Sequence, residues 1–350
     1  MTSRICRLHA AHDLRVETEA MVEPGPEEVQ IDIAAGGICG SDLHYYHDGG
    51  IGQIRVREPI IVGHEAAGRI RKLGPGVHGL AVGDLVALNP SLPCGACRFC
   101  DQAAFNHCLN MRFMGSAYRM PHEQGMFRDV ITVPARRAHR FANPVPPRAA
   151  ACAEPLSVCL HAASHGVALA GQRVLITGAG PIGSLMAAVA ARRKPAELIV
   201  TDLHDFPLSV ARRMGAQLVV NVLRAPEALA SLRAQKGQVD VVFECSGAPA
   251  AIRDALDMLR PGGTMVLVGV AGETPLPLNV LVSKEIRLIG THRFHPEFCD
   301  AVRLIDSGEI DVSPILSHAF PLNEAVAAFD LAGDRTQAVK VHLTFDAETP

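Results

Sequence analysis

Short apolar runs recur through the second half of the chain and alternate with helix-like segments. The runs are rich in Val, Ile and Leu, as expected for strands that are buried on both faces. They lie at 173–177, 197–201, 217–221, 239–244, 264–269 and 286–290. Segments with helical character separate several of them, at 184–194, 207–215 and 248–260. This alternation predicts an α/β domain with a parallel, doubly wound sheet over residues 151–291.

The first 150 residues have a different texture, in which Gly, Pro, Cys and His separate short segments. Polar and apolar residues alternate at 27–35, 66–74 and 83–90, which is the pattern of half-buried strands. We therefore expect a β-rich domain over residues 1–150. After the sheet, the sequence predicts a helix near 296–307, a helix at 320–329 and a strand at 340–345. Because the predicted sheet already has six strands, we expect 292–350 to pack back onto the first domain.

Composition narrows the class of protein. The 350 residues are 48% hydrophobic and 20% charged, so the chain can bury a large core, and its length suggests two domains. A net charge of −3 without a basic block, and the absence of Trp, disfavour a nucleic-acid partner. No apolar run reaches the roughly 20 residues of a membrane span, and the N-terminus lacks the apolar core of a signal peptide. We therefore expect a cytoplasmic protein with no membrane partner.

Ten cysteines need an explanation other than disulfides, because cytosolic thiols stay reduced. The segment PCGACRFCDQAAFNHC contains Cys94, Cys97, Cys100 and Cys108. Four thiolates close a tetrahedral shell around Zn²⁺ and leave no position open, so this pattern predicts a structural zinc. An iron–sulfur cluster is the alternative metal group. Unrelated buried thiols are the alternative without a metal, which four cysteines within fifteen residues disfavour.

A second set of metal-ligating residue types surrounds Gly-rich turns. Cys39 and His64 offer a thiolate and an imidazole, and either Glu65 or Glu154 could supply an oxygen. Three protein ligands and one exchangeable position make a catalytic zinc site. Asp42 is a candidate acceptor for the N–H of His64. Each residue alone is a weak signal, since a lone buried Cys or His is usually a packing residue, so the prediction depends on the set.

The sequence Gly178-x-Gly180-x-x-Gly183 follows a predicted strand and opens a predicted helix. In that context it is a dinucleotide-binding fingerprint, whose glycines allow the tight turn, the approach of a diphosphate and close helix–strand packing. Asp202 ends the next strand, where an acid accepts hydrogen bonds from a ribose diol and repels a 2′-phosphate. The pattern predicts NAD, with NADP disfavoured. A tight turn in an α/β protein that binds no dinucleotide is the alternative.

Together these sites predict the oxidation of an alcohol. Zinc can bind a secondary alcohol and lower its pKa, and an adjacent NAD⁺ can take the hydride. The released proton needs a route to solvent. Ser41, a ribose hydroxyl and His44 could relay it, with His44 as the outer base.

GHEAAG, the four-Cys loop and GAGPIG stand in the order and spacing of the zinc-containing medium-chain dehydrogenases, which the chain resembles over essentially its whole length. The resemblance implies a GroES-like catalytic domain beside a Rossmann domain, two zinc ions per chain, and a homodimer or homotetramer. AEPLSV, with Glu154 at the position of the third ligand, resembles the polyol dehydrogenase branch. Two arrangements are open in that branch. In one, Glu65 contacts the zinc and Glu154 holds the zinc-bound water or the substrate. In the other, Glu154 is itself the third ligand.

The segments GGICGSDLHYYHDGGIG, NPSLPCGACRFC, MRFMGSA, THRFHPEF and GDRTQAVKVHL look most like those of L-idonate 5-dehydrogenases. This resemblance implies reversible oxidation of the C5 hydroxyl of L-idonate to 5-keto-D-gluconate. It implies that Tyr45 and Glu154 touch the substrate and that Arg293 lies near substrate or cofactor. The branch's usual Arg after the ribose acid is Pro207 here, which further disfavours NADP. The expected cofactor-binding residues are Gly178, Gly180, Pro181, Ile182, Gly183, Asp202, Cys245, Ser246, Val268, Gly269 and Arg293.

An aldonate substrate needs a cation for its carboxylate. The candidates are Arg112, Arg119, His122 and Arg293. A sorbitol-, xylitol- or L-threonine-type dehydrogenase is the alternative among enzymes. A structural relative that binds a nucleotide without catalysis is the alternative outside enzymes, and the presence of the zinc-ligand set disfavours it.

Overall fold

Two large sheets organise the chain, as the computed structural model shows, and the apolar core of the second sheet extends to Ala67, Leu85 and Ala87 on strands of the first. The structure describes residues 1–165, 168–270 and 272–345. The remaining positions fall within the second and third predicted stretches and lie outside the described residues. No helix in the described part of the chain is both long and apolar enough to cross a bilayer.

The second half of the chain forms a six-stranded sheet in which every neighbouring pair is parallel. Numbered along the chain, the strands lie in the order 3-2-1-4-5-6. They are Arg173–Thr177, Glu197–Asp202, Leu218–Asn221, Val239–Glu244, Leu259–Leu267 and Arg287–Gly290. This is the doubly wound Rossmann order, so the predicted fold class is confirmed. Ligands bind such sheets where the strand order reverses, which is between Arg173–Thr177 and Val239–Glu244.

Helices cover both faces of this sheet. Those of the predicted α/β pattern are Pro181–Arg192, Asp205–Arg213 and Pro249–Met258, and Leu278–Ser283 and the 3₁₀ turns of Pro226–Lys236 follow the same sheet. Two further helices, Ala153–Ala163 and Glu297–Asp306, contribute to the same apolar core, where Leu156, Leu185 and Phe298 are buried. Helix Ala153–Ala163, which carries Glu154, was not predicted from the sequence.

The last strand of the sheet departs from the prediction that all these strands are buried on both faces. Arg287–Gly290 is an edge strand that pairs only with Leu259–Leu267 among the described strands. Leu288 is 36% exposed, and Arg287 and Gly290 are exposed too. An apolar run therefore correctly predicted a strand here, but it could not distinguish an edge position from a central one.

The first domain contains a seven-stranded sheet that also includes two strands from the end of the chain. Its members are Glu28–Gly37, Glu65–Leu73, Leu85–Leu88, Val130–Pro134, Ala138–Arg140, Leu316–Pro321 and Lys340–Thr344. The other strands described in this half are Thr2–Ala10, Asp13–Ala20, Gly50–Ile51, Ile54–Arg55, Ile60–Ile61, Ser91–Leu92 and Arg112–Phe113. Lys340–Thr344 pairs with Glu28–Gly37 through His342 opposite Gly37. This pairing places the end of the chain beside the Gly-rich turns that carry Cys39.

Short helices connect these strands. They are Gly40–Asp48, Arg98–Asp101, Pro147–Ala151 and Ala325–Gly333, with 3₁₀ turns at Phe105–His107, Ala135–Arg137, Ser313–Ile315 and Leu322–Glu324. The predicted helix at 320–329 begins later than expected, because Leu316–Pro321 is a strand and a 3₁₀ turn precedes Ala325–Gly333.

Candidate active site

A cleft of about 620 Å³ lies between the two domains and is lined by both. Its position at the reversal of strand order is where a doubly wound sheet offers a ligand site. The lining residues include Cys39, Ser41, His44, Glu65, Gly178, Gly180, Pro181, Ile182, Asp202, Cys245, Ser246, Val268, Gly269, Arg335 and Lys340. The predicted metal ligands Cys39 and Glu65 and the predicted nucleotide-binding turn therefore share one cavity.

Cys39, His64 and Glu65 form a group of potential metal ligands at one wall of this cleft. A sulfur, a ring nitrogen and a carboxylate oxygen from the three residues all lie within 4.8 Å of one another. The sheet brings them together, because Gly37 pairs with Glu65 across two antiparallel strands. A Cβ on Gly37 would lie 2.3 Å from Glu65 Oε2, so this approach requires glycine. Thiolate, imidazole and carboxylate suit Zn²⁺, so the donor set fits the predicted metal.

Asp42 fixes the two turns that carry these ligands. Its buried carboxylate accepts the N–H of Cys39 at 3.0 Å and the N–H of Gly63 at 3.2 Å. The nearest oxygen lies 3.7 Å from His64 Nδ1, which is longer than a hydrogen bond. Burial disfavours the imidazolium form of His64, but the charges of Asp42 and Cys39 outweigh it and raise the pKa of His64 well above its ordinary value. Asp42 is therefore close enough to act on His64 electrostatically.

Glu65 has a partner that the sequence analysis missed. Lys340 donates to Glu65 Oε1 at 2.7 Å and to the carbonyl of Ile38 at 3.0 Å. Both side chains of the ion pair are only 1% exposed. A lysine this deeply buried needs a compensating charge, and the partner comes from a strand 275 residues away. The pair holds the Glu65 carboxylate beside Cys39 and His64.

Glu154 lies next to this group and outside it. Within the part of the chain that the structure describes, the three-residue ligand group contains Glu65 and leaves Glu154 out. Burial raises the pKa of Glu154 to about 7, with His64 opposing that rise and Glu65 adding to it. Glu154 is thus a buried carboxyl group within electrostatic reach of the ligands, suited to hold a hydroxyl group or water.

Helix Gly40–Asp48 positions the predicted proton relay. Ser41 and His44 both line the cleft, one helical turn apart. His44 is half exposed, and its Nδ1 lies 2.9 Å from Asp48 Oδ2. Tyr45 lies on the buried side of the helix, where its hydroxyl accepts the N–H of Ala117 at 3.2 Å. A path from the cleft toward solvent therefore runs along Ser41 and His44.

Arg293 lies within electrostatic reach of Tyr45 and Glu154. Its guanidinium lies 4.4 Å from the centroid of the Phe113 ring, and it has a positive φ of 56°. Burial lowers the pKa of Arg293, while Tyr45 and Glu154 oppose that change. Arg293 does not line the nucleotide cleft described above.

The other predicted cations have partners elsewhere. Arg112 pairs with Glu123. Arg119 donates to the carbonyls of Met111 and Leu109. The His122 ring accepts the N–H of Arg57 and contacts the carbonyl of Arg119. Of the four candidates for a substrate carboxylate, Arg293 is the one beside the predicted substrate residues.

The four-Cys loop brings its sulfurs together. Neighbouring Sγ atoms lie 3.6 Å (Cys97–Cys100), 3.9 Å (Cys97–Cys108) and 4.0 Å (Cys94–Cys100) apart. Zn–S bonds of about 2.3 Å in a tetrahedron place sulfurs about 3.8 Å apart, so these residues fit a zinc ion. Backbone N–H groups of Cys100 and Leu109 lower the pKa of Cys97 to about 6, which favours the thiolate that a metal requires.

The Gly-rich turn has the geometry that its sequence predicts. Gly178 has a φ of 86°, and a Cβ on Gly183 would lie 1.7 Å from the carbonyl oxygen of Gly178. Gly183 therefore packs the helix onto the strand, and it does not line the cleft. No side chain caps the helix at Gly180. Asp202 accepts the N–H of Ala179 at 2.7 Å and the N–H of His204 at 2.9 Å, which fixes its carboxylate at the cleft.

Comparison with known proteins agrees with this architecture. Residues 25–143 match the family described as alcohol dehydrogenase GroES-like domain, and residues 181–307 match zinc-binding dehydrogenase. L-idonate 5-dehydrogenase (NAD(P)(+)) of Escherichia coli is 38% identical over 94% of this chain and 95% of that protein. Human sorbitol dehydrogenase is 35% identical over 92% of this chain and 90% of that protein.

Solved structures of dehydrogenases also superpose on this chain over nearly its whole length. The crystal structure of E. coli L-idonate 5-dehydrogenase superposes with a TM-score of 0.92, at 36% identity and 99% coverage of both chains. A structure from Sinorhizobium meliloti, described as a zinc-binding dehydrogenase bound to NADP, has a TM-score of 0.87 at 26% identity and covers 98% of this chain and 99% of that chain.

Proposed function

This chain belongs to the zinc-containing medium-chain dehydrogenases, in their polyol branch, and from that premise we propose that it is an L-idonate 5-dehydrogenase. As a member of the family it is a zinc- and NAD(P)-dependent alcohol or polyol dehydrogenase. The proposed reaction is the reversible oxidation of the C5 hydroxyl of L-idonate to 5-keto-D-gluconate with NAD⁺. The observation that carries it is the shared cleft, in which the Cys39–His64–Glu65 group faces the dinucleotide turn.

Different residues of the chain would bind the metal and the reacting hydroxyl group. Zinc, when bound, supplies a Lewis acid that makes the hydroxyl proton more acidic, and the nicotinamide supplies a hydride acceptor. Cys39, His64 and Glu65 would hold the metal, and Lys340 holds the Glu65 carboxylate in place. In the alternative arrangement Glu154 takes the place of Glu65 as the third ligand. With Glu65 as the ligand, Glu154 holds a hydroxyl group or water.

The proton leaves through the protein. Ser41 lines the cleft beside the ligand group and passes the proton outward, and the half-exposed His44 delivers it to solvent. Tyr45 and Arg293 orient the substrate. Arg293 supplies the cation that distinguishes an aldonate from a neutral polyol, because a guanidinium binds a carboxylate in a bidentate manner.

The proposed cofactor is NAD in preference to NADP. Asp202 presents a carboxylate at the end of its strand, where it would accept hydrogen bonds from a ribose diol and repel a 2′-phosphate. Pro207 is buried in the following helix and offers no positive charge to such a phosphate. Cys245, Ser246, Val268 and Gly269 line the cleft where we place the nicotinamide.

A neutral polyol dehydrogenase is the second candidate function. It is supported by the 35% identity to human sorbitol dehydrogenase over 92% of the chain. The two candidates differ in the need for a carboxylate on the substrate. Xylitol is a further neutral polyol to test, and L-threonine, an amino acid with a secondary hydroxyl group, represents a third type of alternative substrate.

A substrate panel tests the proposal. The purified zinc-loaded protein is assayed for NADH formation with L-idonate, sorbitol, xylitol and L-threonine, each with NAD⁺ and with NADP⁺. We expect the highest kcat/KM with L-idonate and NAD⁺. Absence of turnover with L-idonate, with turnover of sorbitol, would replace the first candidate by the second. Metal analysis separates the alternative outside enzymes: about two zinc ions per chain would support the enzyme, whereas one or none, with no turnover of any alcohol, would favour a nucleotide-binding relative without catalysis.

A pair of arginine variants tests the carboxylate site. Arg293→Met should raise the KM for L-idonate about tenfold or more and change that for sorbitol little, because only the acid offers a carboxylate. Arg112→Met is the matched control, since Arg112 is exposed and pairs with Glu123. Equal KM changes for both substrates in Arg293→Met would remove Arg293 from carboxylate recognition.

We also propose that the chain forms a homodimer or homotetramer in the cytoplasm. The edge strand Arg287–Gly290 has unpaired backbone groups, and the large apolar side chains of Val270, Leu278 and Val282 are exposed in the same domain. Such an edge is a template for pairing with a second chain. Light scattering tests the assembly, and Leu288→Glu should shift it toward monomer. The free state of all ten cysteines is consistent with a reducing compartment, which cell fractionation tests.

A further inference from the structure

An arginine from the end of the chain faces the Gly-rich turn across the cleft. Arg335 lies between helix Ala325–Gly333 and strand Lys340–Thr344, which pairs into the sheet of the first domain. Its Nη1 is 3.8 Å from the position that a Cβ on Gly180 would take. Arg335 lines the same cavity as Gly180 and Asp202. The first domain therefore places a positive charge opposite the nucleotide-binding turn.

The guanidinium of Arg335 makes no hydrogen bond or ion pair with any other residue that the structure describes. It is half-buried, and burial lowers its pKa, with the charges of Cys39 and Asp202 opposing that change. A partly buried cation without a partner costs free energy, because it loses part of its hydration and gains no compensating charge. Such a group at the wall of a ligand cleft indicates that the ligand is an anion.

The backbone around Arg335 is fixed by its neighbour. The Asp334 carboxylate accepts the N–H of Thr336 at 2.9 Å, the hydroxyl of Thr336 at 2.6 Å and the side-chain amide of Gln337 at 2.6 Å. The N–H of Ala338 also bonds to the carbonyl of Asp334 at 3.0 Å. These contacts hold the turn in place, so the backbone of Arg335 is already set before a ligand binds.

The Gly-rich turn alone leaves a diphosphate incompletely neutralised. The first internal bond of helix Pro181–Arg192 runs from the N–H of Ser184 to the carbonyl of Gly180 at 2.9 Å. Ahead of it, Gly180, Ile182 and Gly183 offer N–H groups to a ligand, because Pro181 has none and Asp202 already accepts the N–H of Ala179. A helix N-terminus carries about half a positive charge, whereas each phosphate of a dinucleotide carries a full negative charge.

We propose that Arg335 binds the diphosphate of the dinucleotide from the side opposite the helix N-terminus. The cofactor is then held by both domains, with backbone N–H groups on one side and a guanidinium on the other. The planar guanidinium matches the oxygens of a phosphate and stays charged when partly buried. The proposal rests on the use of a dinucleotide and does not depend on which alcohol is oxidised.

Direct binding measurements test this role without turnover. Isothermal titration gives the Kd of the zinc-loaded protein for ADP-ribose, adenosine, NADH and NADPH, in the parent and in Arg335→Met. ADP-ribose contains the diphosphate and lacks the nicotinamide, whereas adenosine lacks both. We expect Arg335→Met to weaken ADP-ribose and NADH about tenfold or more, which is the contribution of one charge-assisted contact. Adenosine binding should be unchanged.

Two further variants make the result specific. Arg335→Lys should recover part of the lost affinity, because it restores the charge and not the planar geometry. Arg212→Met removes an exposed arginine from a helix of the nucleotide domain and should bind ADP-ribose as the parent does. The melting temperature without ligand should not fall in any of the three variants, since Arg335 makes no hydrogen bond or ion pair with the described residues and its unpartnered charge stabilises nothing in the ligand-free chain.

Several outcomes would overturn the proposal. One is equal affinity of the parent and Arg335→Met for ADP-ribose. A second is an equal loss of affinity for adenosine in Arg335→Met, which would mean that the substitution disturbs the fold or the adenosine site and not a contact with the diphosphate. A third is a loss confined to NADPH, which would assign Arg335 to the 2′-phosphate. Failure of the L-idonate proposal would leave ADP-ribose binding unaffected, so the two proposals fail separately.

Discussion

Two glycines of the dinucleotide turn give a matched pair of substitutions with opposite expected effects. A Cβ on Gly183 would lie 1.7 Å from the carbonyl oxygen of Gly178 and 2.8 Å from its carbonyl carbon. A Cβ on Gly180 meets only the side chain of Arg335, at 3.8 Å. Gly180 also has an extended backbone, with φ of −61° and ψ of −170°, which alanine adopts without strain.

The magnitudes follow from these distances. An ordinary contact at such a position is 3.4 Å or more, so Gly183→Ala forces the helix to move away from the strand by about 1.7 Å. Both clashing atoms belong to the backbone and cannot rotate away. Overpacking of this kind costs about 1–3 kcal/mol, and we expect Gly183→Ala to lose at least that much stability without any ligand. Gly180→Ala should change ligand-free stability by less than about 0.5 kcal/mol.

For NADH affinity, in contrast to stability, Gly180→Ala is the substitution with the large expected effect. The methyl group of Gly180→Ala points into the space between the helix N-terminus and Arg335, where a diphosphate must approach the backbone closely. We expect the Kd for NADH to rise about tenfold or more in a variant that folds as the parent does. Urea unfolding of the ligand-free proteins and fluorescence titration with NADH measure the two effects. Parent-like NADH affinity in Gly180→Ala, or parent-like stability in Gly183→Ala, would contradict the roles assigned to these two glycines.

Three further predictions concern the metals, the ribose and acid stability. Cys39→Ser should abolish turnover with little loss of stability, whereas Cys97→Ser should lower the melting temperature markedly; equal loss of stability in both would contradict the division into catalytic and structural zinc. Asp202→Ala should reduce the preference for NAD⁺ over NADP⁺ in kcat/KM, and unchanged selectivity would argue against its contact with the ribose. Burial, together with the charges of Lys340 and Arg148, lowers the pKa of His342 well below its ordinary value of 6.5. Below about pH 6.5, His342 therefore binds a proton in the unfolded chain and stays neutral in the folded chain. Stability should therefore fall as the pH decreases, by about 1 kcal/mol between pH 7 and 5.5 from this group, and His342→Leu should remove that part of the slope in urea unfolding at the two pH values.

The parallel sheet was predictable because each strand is a local pattern. Runs of Val, Ile and Leu that are five to six residues long, separated by helical segments, predict strands without reference to the rest of the chain. The four cysteines and the Gly-rich turn were also local signals, since their spacing lies within one loop each. These elements coincide with the observed strands and with the Cys94–Cys108 loop.

Other features depend on contacts that no local pattern records. The Glu65–Lys340 pair joins residues 275 positions apart, and only the pairing of Glu28–Gly37 with Lys340–Thr344 brings them together. Helix Ala153–Ala163 was missed because most of its residues are buried, so it lacks the polar face that makes a helix visible in sequence. The exposure of strand Arg287–Gly290 likewise depends on its place at the edge of the sheet.

A crystal structure of the NADH complex, with anomalous scattering recorded at the zinc edge, tests most directly whether metal and hydride carrier meet in this cleft. We predict two anomalous peaks per chain, one among the sulfurs of the Cys94–Cys108 loop and one bounded by Cys39, His64 and either Glu65 or Glu154. The nicotinamide ring should lie beside the second peak. A missing second peak, or a nicotinamide bound away from Cys39 and His64, would contradict the account.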